Sequence, residues 1–290
     1  MDAIVGEVAA AVGLAEGKAG IRDILAAVLA AEPAAVREVS RLAELPVPLV
    51  AAACGELRKR GVIDNTRPVR LTAGGRAAVA VGHPNLDVAC PECAGRGVVA
   101  SGALAGLAAG LEETAAGAPA AQMELDQTHC TVATKVNRVL RMHAAHALAG
   151  QRVLLLGDDD LIAVAIAMFA ARTGTAVRAL TVVDCDPAVL SWIGKQAAGS
   201  GIDVELVEHD LRQPLPAALS GAFDVVATDP PYTVAGAELF LSRAVAALAP
   251  EPGRHVFFSF GARRPDETAT VQLAIARMGL AVRALLPNFN

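Results

Sequence analysis

Apolar positions follow two different rhythms along this chain. Through the first zone, residues 1–80, they recur at helical spacing; from about residue 150 onward they gather into short, nearly continuous runs separated by helical stretches. In the first zone Ile21 to Ala31 is periodic and apolar, and Ala34 to Leu45 follows Glu32-Pro33, a proline placed near a helix start. Pro48 to Gly61 closes on a glycine, which stops a helix. Val62-Ile63-Asp64-Asn65, a turn and Val69-Arg70-Leu71-Thr72 predict a two-stranded ribbon that leads into Ala73-Gly74-Gly75-Arg76. In the later zone the pattern predicts strands over Arg152 to Leu156, Ala176 to Val183, Val204 to Val207, Phe223 to Ala227, His255 to Phe260 and Ala281 to Leu286. Helices are predicted between them, over Leu161 to Thr173, Pro187 to Ser200, Ala235 to Leu248 and Asp266 to Met278. Alternating strands and helices predict an α/β class with a doubly wound parallel sheet, in which ligands bind at the carboxyl ends of the strands.

The 290 residues therefore divide into a helical domain over 1–80, a linker over 81–121 and a Rossmann-like domain over 122–290. Three helices and a two-stranded wing resemble a winged helix-turn-helix, and Leu-Thr-x-x-Gly after the wing is common in that group. Arg58, Lys59, Arg60, Arg67, Arg70 and Arg76 make residues 58–76 basic, which fits either DNA binding or a packing module with a solvated edge. The third helix opens Pro-Val-Pro-Leu-Val-Ala, without the polar side chains that read bases, so the packing use is favoured and no nucleic-acid partner is expected. The linker holds Cys90-Pro-Glu-Cys93-Ala-Gly-Arg-Gly97, in which both thiolates can reach one metal. A structural zinc needs four ligands; Cys54, Cys130, His83, His129 or the same pair from a symmetry mate are the candidates to complete it. A plain turn and a redox pair are the other readings of this motif.

Composition narrows the class. The chain is 54% hydrophobic, carries a net charge of −5, and has too few basic residues for a general polyanion binder. No apolar run is long enough for a transmembrane helix, and the acidic start lacks the basic region of a signal peptide. An odd number of cysteines, 5, argues against a disulfide framework. The expectation is a cytoplasmic protein with reduced thiols.

The acids at the predicted strand ends carry the chemistry. The first strand runs into Gly157-Asp158-Asp159-Asp160, the second ends at Asp184, the third leads to Asp210 and the fourth to Asp229. Asp184 stands where an acid accepts hydrogen bonds from ribose hydroxyls, and Asp210 one unit later where an acid meets an adenine amino group. Gly157 lets the backbone approach a ligand closely. Three carboxylates after that glycine would repel phosphates, which disfavours NAD, FAD and ATP. They favour a cationic ligand: an adenosyl sulfonium, an amine, or both. Asp229-Pro-Pro-Tyr232 offers an oxygen acceptor, a stiff turn and an aromatic platform, as in methyltransferases that act on exocyclic amines.

Taken together, Gly157-Asp-Asp-Asp-Leu161, Asp210-Leu-Arg-Gln-Pro-Leu-Pro216, Asp229-Pro-Pro and Asn288-Phe-Asn290 resemble the branched-chain polyamine synthases, the N(4)-bis(aminopropyl)spermidine synthases, over nearly the whole chain. The resemblance implies a methyltransferase-type Rossmann-like fold behind an N-terminal winged-helix domain. It implies transfer of the aminopropyl group of decarboxylated S-adenosylmethionine to a polyamine amine, with release of methylthioadenosine. By analogy with spermidine synthases, Asp160 holds the donor's amine, while Asp159 and Asp229 hold and deprotonate the acceptor. Asp158 and Tyr232 join the substrate side. Family members have a similar Asp-Gln stretch before the first strand, so Glu124 and Asp126 are placed on the acceptor side, with N-capping by Thr131 as the plain alternative. Two departures stand out. Tyr232 occupies a position that is acidic in the family, and the sequence ends at the Asn-Phe-Asn that family members follow with an acidic segment.

Two other functions fit parts of the pattern: an N-methyltransferase using S-adenosylmethionine itself, and a winged-helix regulator that senses an adenosyl ligand. A small cationic amine is the expected partner, and a homodimer the expected assembly.

Overall fold

The structure is a computed structural model that describes residues 1–80, 93, 97–286 and 289. Two compact units divide the chain. One comprises Met1–Cys90, Gly261–Gln272 and Leu285–Asn288; the other comprises Pro91–Phe260, Leu273–Ala284 and Phe289–Asn290.

The first unit contains α1 (Asp2–Val12), α2 (Gly17–Ala31), α3 (Val36–Ala43), α4 (Val47–Lys59) and α5 (Ala73–Ala80). Helix α1 was not expected from the pattern, because its alanines blur the apolar face; Val5, Val8 and Ala9 nevertheless form a buried stripe. The predicted ribbon is present only as isolated antiparallel bridges, Ile63 to Leu71 and Ala34 to Val69. Ile21, Ile24, Val28, Leu57 and Ile63 fill the core of this unit.

The second unit is built on five parallel strands: β1 (Arg152–Leu156), β2 (Ala179–Asp184), β3 (Val204–Glu208), β4 (Val225–Thr228) and β5 (His255–Phe258). Their order is β3-β2-β1-β4-β5, the methyltransferase-type Rossmann-like arrangement. Alternation along the strands feeds two layers. Val153, Leu155, Leu180 and Val182 face α8 (Ile162–Thr173), α9 (Pro187–Ala197) and α7 (Val132–Ala144), while Leu154, Leu156, Val183 and Val226 face Leu219, Phe223 and α10 (Val234–Ala247). Residues placed in the linker form α6 (Leu107–Ala115), whose Leu107 and Leu111 are buried in the first of these layers. The last helix is α11 (Pro265–Arg277). Helix starts follow local chemistry: Thr131 caps α7, Asp186 caps α9 ahead of Pro187, and Thr233 caps α10.

One predicted strand is corrected. Ala281 to Leu286 is apolar but forms no ladder, and Val282 and Leu285 are exposed. An apolar run makes a strand only where a sheet edge pairs with it, and β5 has no ladder partner beyond β4 among the described residues. Among the described residues no helix is long and apolar enough to cross a membrane.

Candidate active site

The chain winds outward from β1 to β3, then returns to lay β4 beside β1. The loops after β1 and β4 therefore meet at the reversal point of the sheet, where α/β folds place their ligands. Gly157 takes φ +69 at the end of β1, a left-handed conformation that suits glycine, and Leu161 enters α8 at φ 60, a strained value for a side-chain-bearing residue.

The acids divide into two groups according to what holds them. Asp158 and Asp184 are held by backbone. Asp158 is 1% exposed, and its two oxygens accept from Ile162 N (2.7 Å) and Ala163 N (2.9 Å) at the start of α8. Expected on the substrate side, it is instead turned inward as a helix cap. Burial, followed by its acidic neighbours, pushes its carboxyl well above the usual range, against the pull of those two amides. Asp184 accepts from Asp158 N and Asp186 N, both at 2.8 Å, one on each oxygen. Each oxygen keeps a second lone pair at the sheet edge, which is what a ribose contact requires.

Asp160 and Asp229 are held by side-chain cations from α7. Arg138 reaches Asp160 Oδ2 through Nη1 (2.7 Å) and Asp229 Oδ2 through Nη2 (2.5 Å). Lys135, 2% exposed, donates to the Asp160 carbonyl oxygen (2.6 Å) and lies 3.6 Å from its Oδ1. Cys130 N donates to the same Oδ1. Expected to hold the donor's amine, Asp160 is thus already paired with two protein cations. Burial works against its charge, but Arg138 and Lys135 outweigh it and hold the carboxyl below its ordinary value. At Asp229 burial wins over Arg138 and the carboxyl is raised. Asp229 Oδ1 is buried and accepts no hydrogen bond of good geometry among the described residues, although the Tyr232 hydroxyl stands beside the carboxylate.

Asp159 differs from both groups. It is half-buried, and its Oδ2 accepts from Thr128 N (3.0 Å). Burial and the neighbouring Asp160 charge raise it to about 6. Tyr232 packs edge-on against Phe260 at 5.6 Å, and Phe260 stacks on Phe258. Asp210 is half-buried and paired with the exposed Arg212, which lowers it to about 2.

The segment before α7 is strapped onto this edge. Gln122 and Gln127 both donate to Asp186 Oδ2, at 2.8 and 3.1 Å. Thr128, His129 and Cys130 then bond to Asp159 and Asp160, and Thr131 caps α7. Glu124 and Asp126 are carried on the strap with exposed side chains.

Sequence reading missed Lys135 and Arg138. The signal was present: Lys135 falls in register with Val139 and Met142, inside the apolar stripe of α7, where a cation must find a buried anion. Cys90 and His83 lie outside the described residues, and Cys93 is half-buried. Of the other zinc candidates, Cys54 is buried in the core of the first unit, Cys130 is pushed up to about 12 chiefly by burial, and both His129 ring nitrogens face carbonyl oxygens. Among the described residues no three His, Cys, Asp or Glu side chains gather as a metal site.

A five-stranded parallel sheet in the order β3-β2-β1-β4-β5, with acids gathered at its reversal point, defines a methyltransferase-type Rossmann-like domain. Residues 107–290 match the model of the branched-chain polyamine synthase A C-terminal domain. The chain is 32% identical to the N(4)-bis(aminopropyl)spermidine synthase of Thermococcus kodakarensis, over 93% of this chain and 76% of that one. It is 33% identical to an uncharacterized protein of Methanocaldococcus jannaschii, over 99% of this chain and 73% of that one. The crystal structure of a branched-chain polyamine synthase mutein from Thermus thermophilus, in complex with N4-aminopropylspermidine and 5'-methylthioadenosine, superposes with a TM-score of 0.76 at 28% identity, covering 95% of this chain and 77% of that one. The chain belongs to the branched-chain polyamine synthase family.

Proposed function

We propose that this protein transfers the aminopropyl group of decarboxylated S-adenosylmethionine to an amine of a spermidine-like polyamine and releases methylthioadenosine. The observation that carries this choice of donor is the charge balance at the β1/β4 reversal. Asp159, Asp160, Asp184 and Asp229 gather there, and the two cations among them, Lys135 and Arg138, are already bound to Asp160 and Asp229. A donor that keeps its carboxylate would meet net negative charge; the decarboxylated donor brings only positive charge. Structures of a Thermus relative with the polyamine product and methylthioadenosine support the same assignment.

In the proposed step Asp184 takes the ribose hydroxyls, Gly157 admits the nucleoside and Asp210 faces the adenine amino group. Asp159, with a carboxyl near 6, accepts the proton of the acceptor ammonium, and Asp229 Oδ1 orients the freed lone pair. Nitrogen attacks the aminopropyl carbon attached to the sulfonium; the C–N bond forms as the C–S bond breaks, and its electron pair stays on sulfur as a neutral thioether. Asp160 serves as the anchor of Arg138. Glu124 and Asp126 attract the remaining ammonium groups of the polyamine from the strap.

Methyl transfer from S-adenosylmethionine keeps one observation in its favour, the Tyr232–Phe260 aromatic wall beside Asp229. Incubation with either donor and a polyamine panel, followed by product mass, separates the two. Gain of an aminopropyl unit with release of methylthioadenosine is expected; gain of a methyl group would replace the proposal. In the N-terminal unit we read a winged-helix-like packing module. A zinc ion at Cys90 and Cys93 would take two of its four ligands from that pair, and the same pair from a second copy of the chain would complete the site in a homodimer. Zinc content and sedimentation measured on the same sample test both.

A further inference from the structure

Among the described residues Arg138 is the side chain that pairs with acids of both loops meeting at the reversal point, and the step proposed above gives it no task of its own. It leaves α7 beneath the strap, is mostly buried, and divides its guanidinium between Asp160 after β1 and Asp229 after β4. Its two nitrogens take the same-numbered oxygen, Oδ2, of each carboxylate. The consequences for the two acids differ. Asp160 has its other oxygen occupied by Cys130 N and approached by Lys135, so it is fully engaged. Asp229 has its other oxygen buried without a well-formed hydrogen bond. A planar fork that fixes one oxygen of a carboxylate fixes the direction of the other.

We propose that Arg138 is a positioning residue for the transfer step: it pins Asp229 through Oδ2 and so presents Oδ1 to the acceptor amine. This inference rests on the reading of the site given above. Burial favours the neutral form of Asp229 and Asp160 repels its charge, while Arg138 supplies the opposing attraction. The groups facing Asp229 are Arg138 from α7, Asp160 and Asp159 from the loop after β1, and Tyr232 from its own turn. Lys135 and Cys130 act one step away, through Asp160. Only Arg138 touches Asp229 with positive charge among the described residues.

Charge and geometry can be separated by two substitutions. Arg138→Gln removes the charge, so Asp229 should titrate higher by about 1–3 pH units, the usual effect of losing an adjacent cation. Arg138→Lys keeps a charge but cannot bridge two carboxylates, so the titration should stay near that of the parent while kcat falls at least about tenfold with little change in KM. Asp229 is followed by carbon-13 carboxyl NMR, its resonance identified by its loss in Asp229→Asn, and transfer is followed by product formation over pH. If Arg138→Gln does not fold, Arg138→Lys carries the kcat test alone. An Asp229 titration unmoved in folded Arg138→Gln, or a parental kcat in Arg138→Lys, would overturn the proposal. A parent enzyme that transfers no aminopropyl group to any polyamine would instead overturn the reading of the function and leave the NMR titration as an independent measure of the Arg138–Asp229 clamp.

Discussion

Charge is concentrated in two regions of this molecule, and it is handled in opposite ways. In the N-terminal unit the basic run is answered locally: Arg60 pairs with Glu56 and Glu7, Lys59 with Glu56, and Arg58 donates to the Asp64 carbonyl, all exposed or half-buried, while the exposed Arg76 reaches the buried carboxylate of Glu32. At the β1/β4 reversal the charges are gathered together and buried, and acids outnumber cations. Water solvates the first kind of charge whether or not it is paired, so it indicates little about function. The second kind costs folding free energy, and its concentration at a sheet's reversal point marks a candidate functional site.

The strongest test of the contrast is to neutralise the reversal-point acids. Asp159→Asn and Asp229→Asn keep shape but cannot take a proton, and each should lower kcat by roughly 10²–10⁴, the usual worth of a general base. Methylthioadenosine affinity, measured by calorimetry, should change little. Parental turnover in both variants would remove these residues from the chemistry.

The pH dependence sharpens the same point. With Asp159 raised to about 6, kcat/KM should climb through that pH and level off above it, because the base works only when deprotonated. Stability should run the other way. A carboxyl raised on folding, from about 3.9 in the unfolded chain, favours the folded state fully below that value and loses this contribution as pH rises through 6. Asp159→Asn should therefore gain thermal stability over the parent above pH 6 and none below pH 4, while losing activity.

Within the reversal point, the two backbone-held acids should behave differently from each other. Asp158→Ala strips two amides at the start of α8 and should cost about 0.5–2 kcal/mol in denaturant unfolding, with Asp158→Asn milder because Asn also caps helices. Asp184→Ala should weaken methylthioadenosine binding by about 1–3 kcal/mol, as expected for hydrogen bonds to a charged acceptor. Equal losses of stability and of affinity in both variants would erase the distinction between cap and ligand contact.

How much of this was legible in the sequence depends on whether local signals sufficed. The five strands of the second unit and the helices between them could be read because the strands' apolar runs are short and punctuated by Gly, Pro and Asp. The edge position of Asp159, Asp184 and Asp229 followed from the strand ends alone. The inward turn of Asp158 did not, since adjacent residues in one loop point in different directions that only the start of α8 decides. Arg138 was missed for a related reason: its partners lie 22 and 91 residues away in sequence, and nothing local marks the pairing. The absent strand at 281–286 shows the converse error, an apolar run read as a strand without a neighbour to pair with.

The smallest expected effect lies in the other region. Arg67 and Arg70 are exposed on the predicted wing, the place where a regulator would meet phosphates. If they did so, replacing both with alanine would lower the slope of log affinity against log salt by about 2, roughly one unit for each phosphate no longer neutralised. A packing module predicts no such slope to lose: the parent should show no salt-dependent, sequence-specific DNA binding in fluorescence anisotropy, and Arg67→Ala with Arg70→Ala should leave aminopropyl transfer at the parental rate. Tight binding to one DNA sequence by the parent, abolished by the double substitution, would reverse the comparison and make the surface charge of the N-terminal unit the functional one.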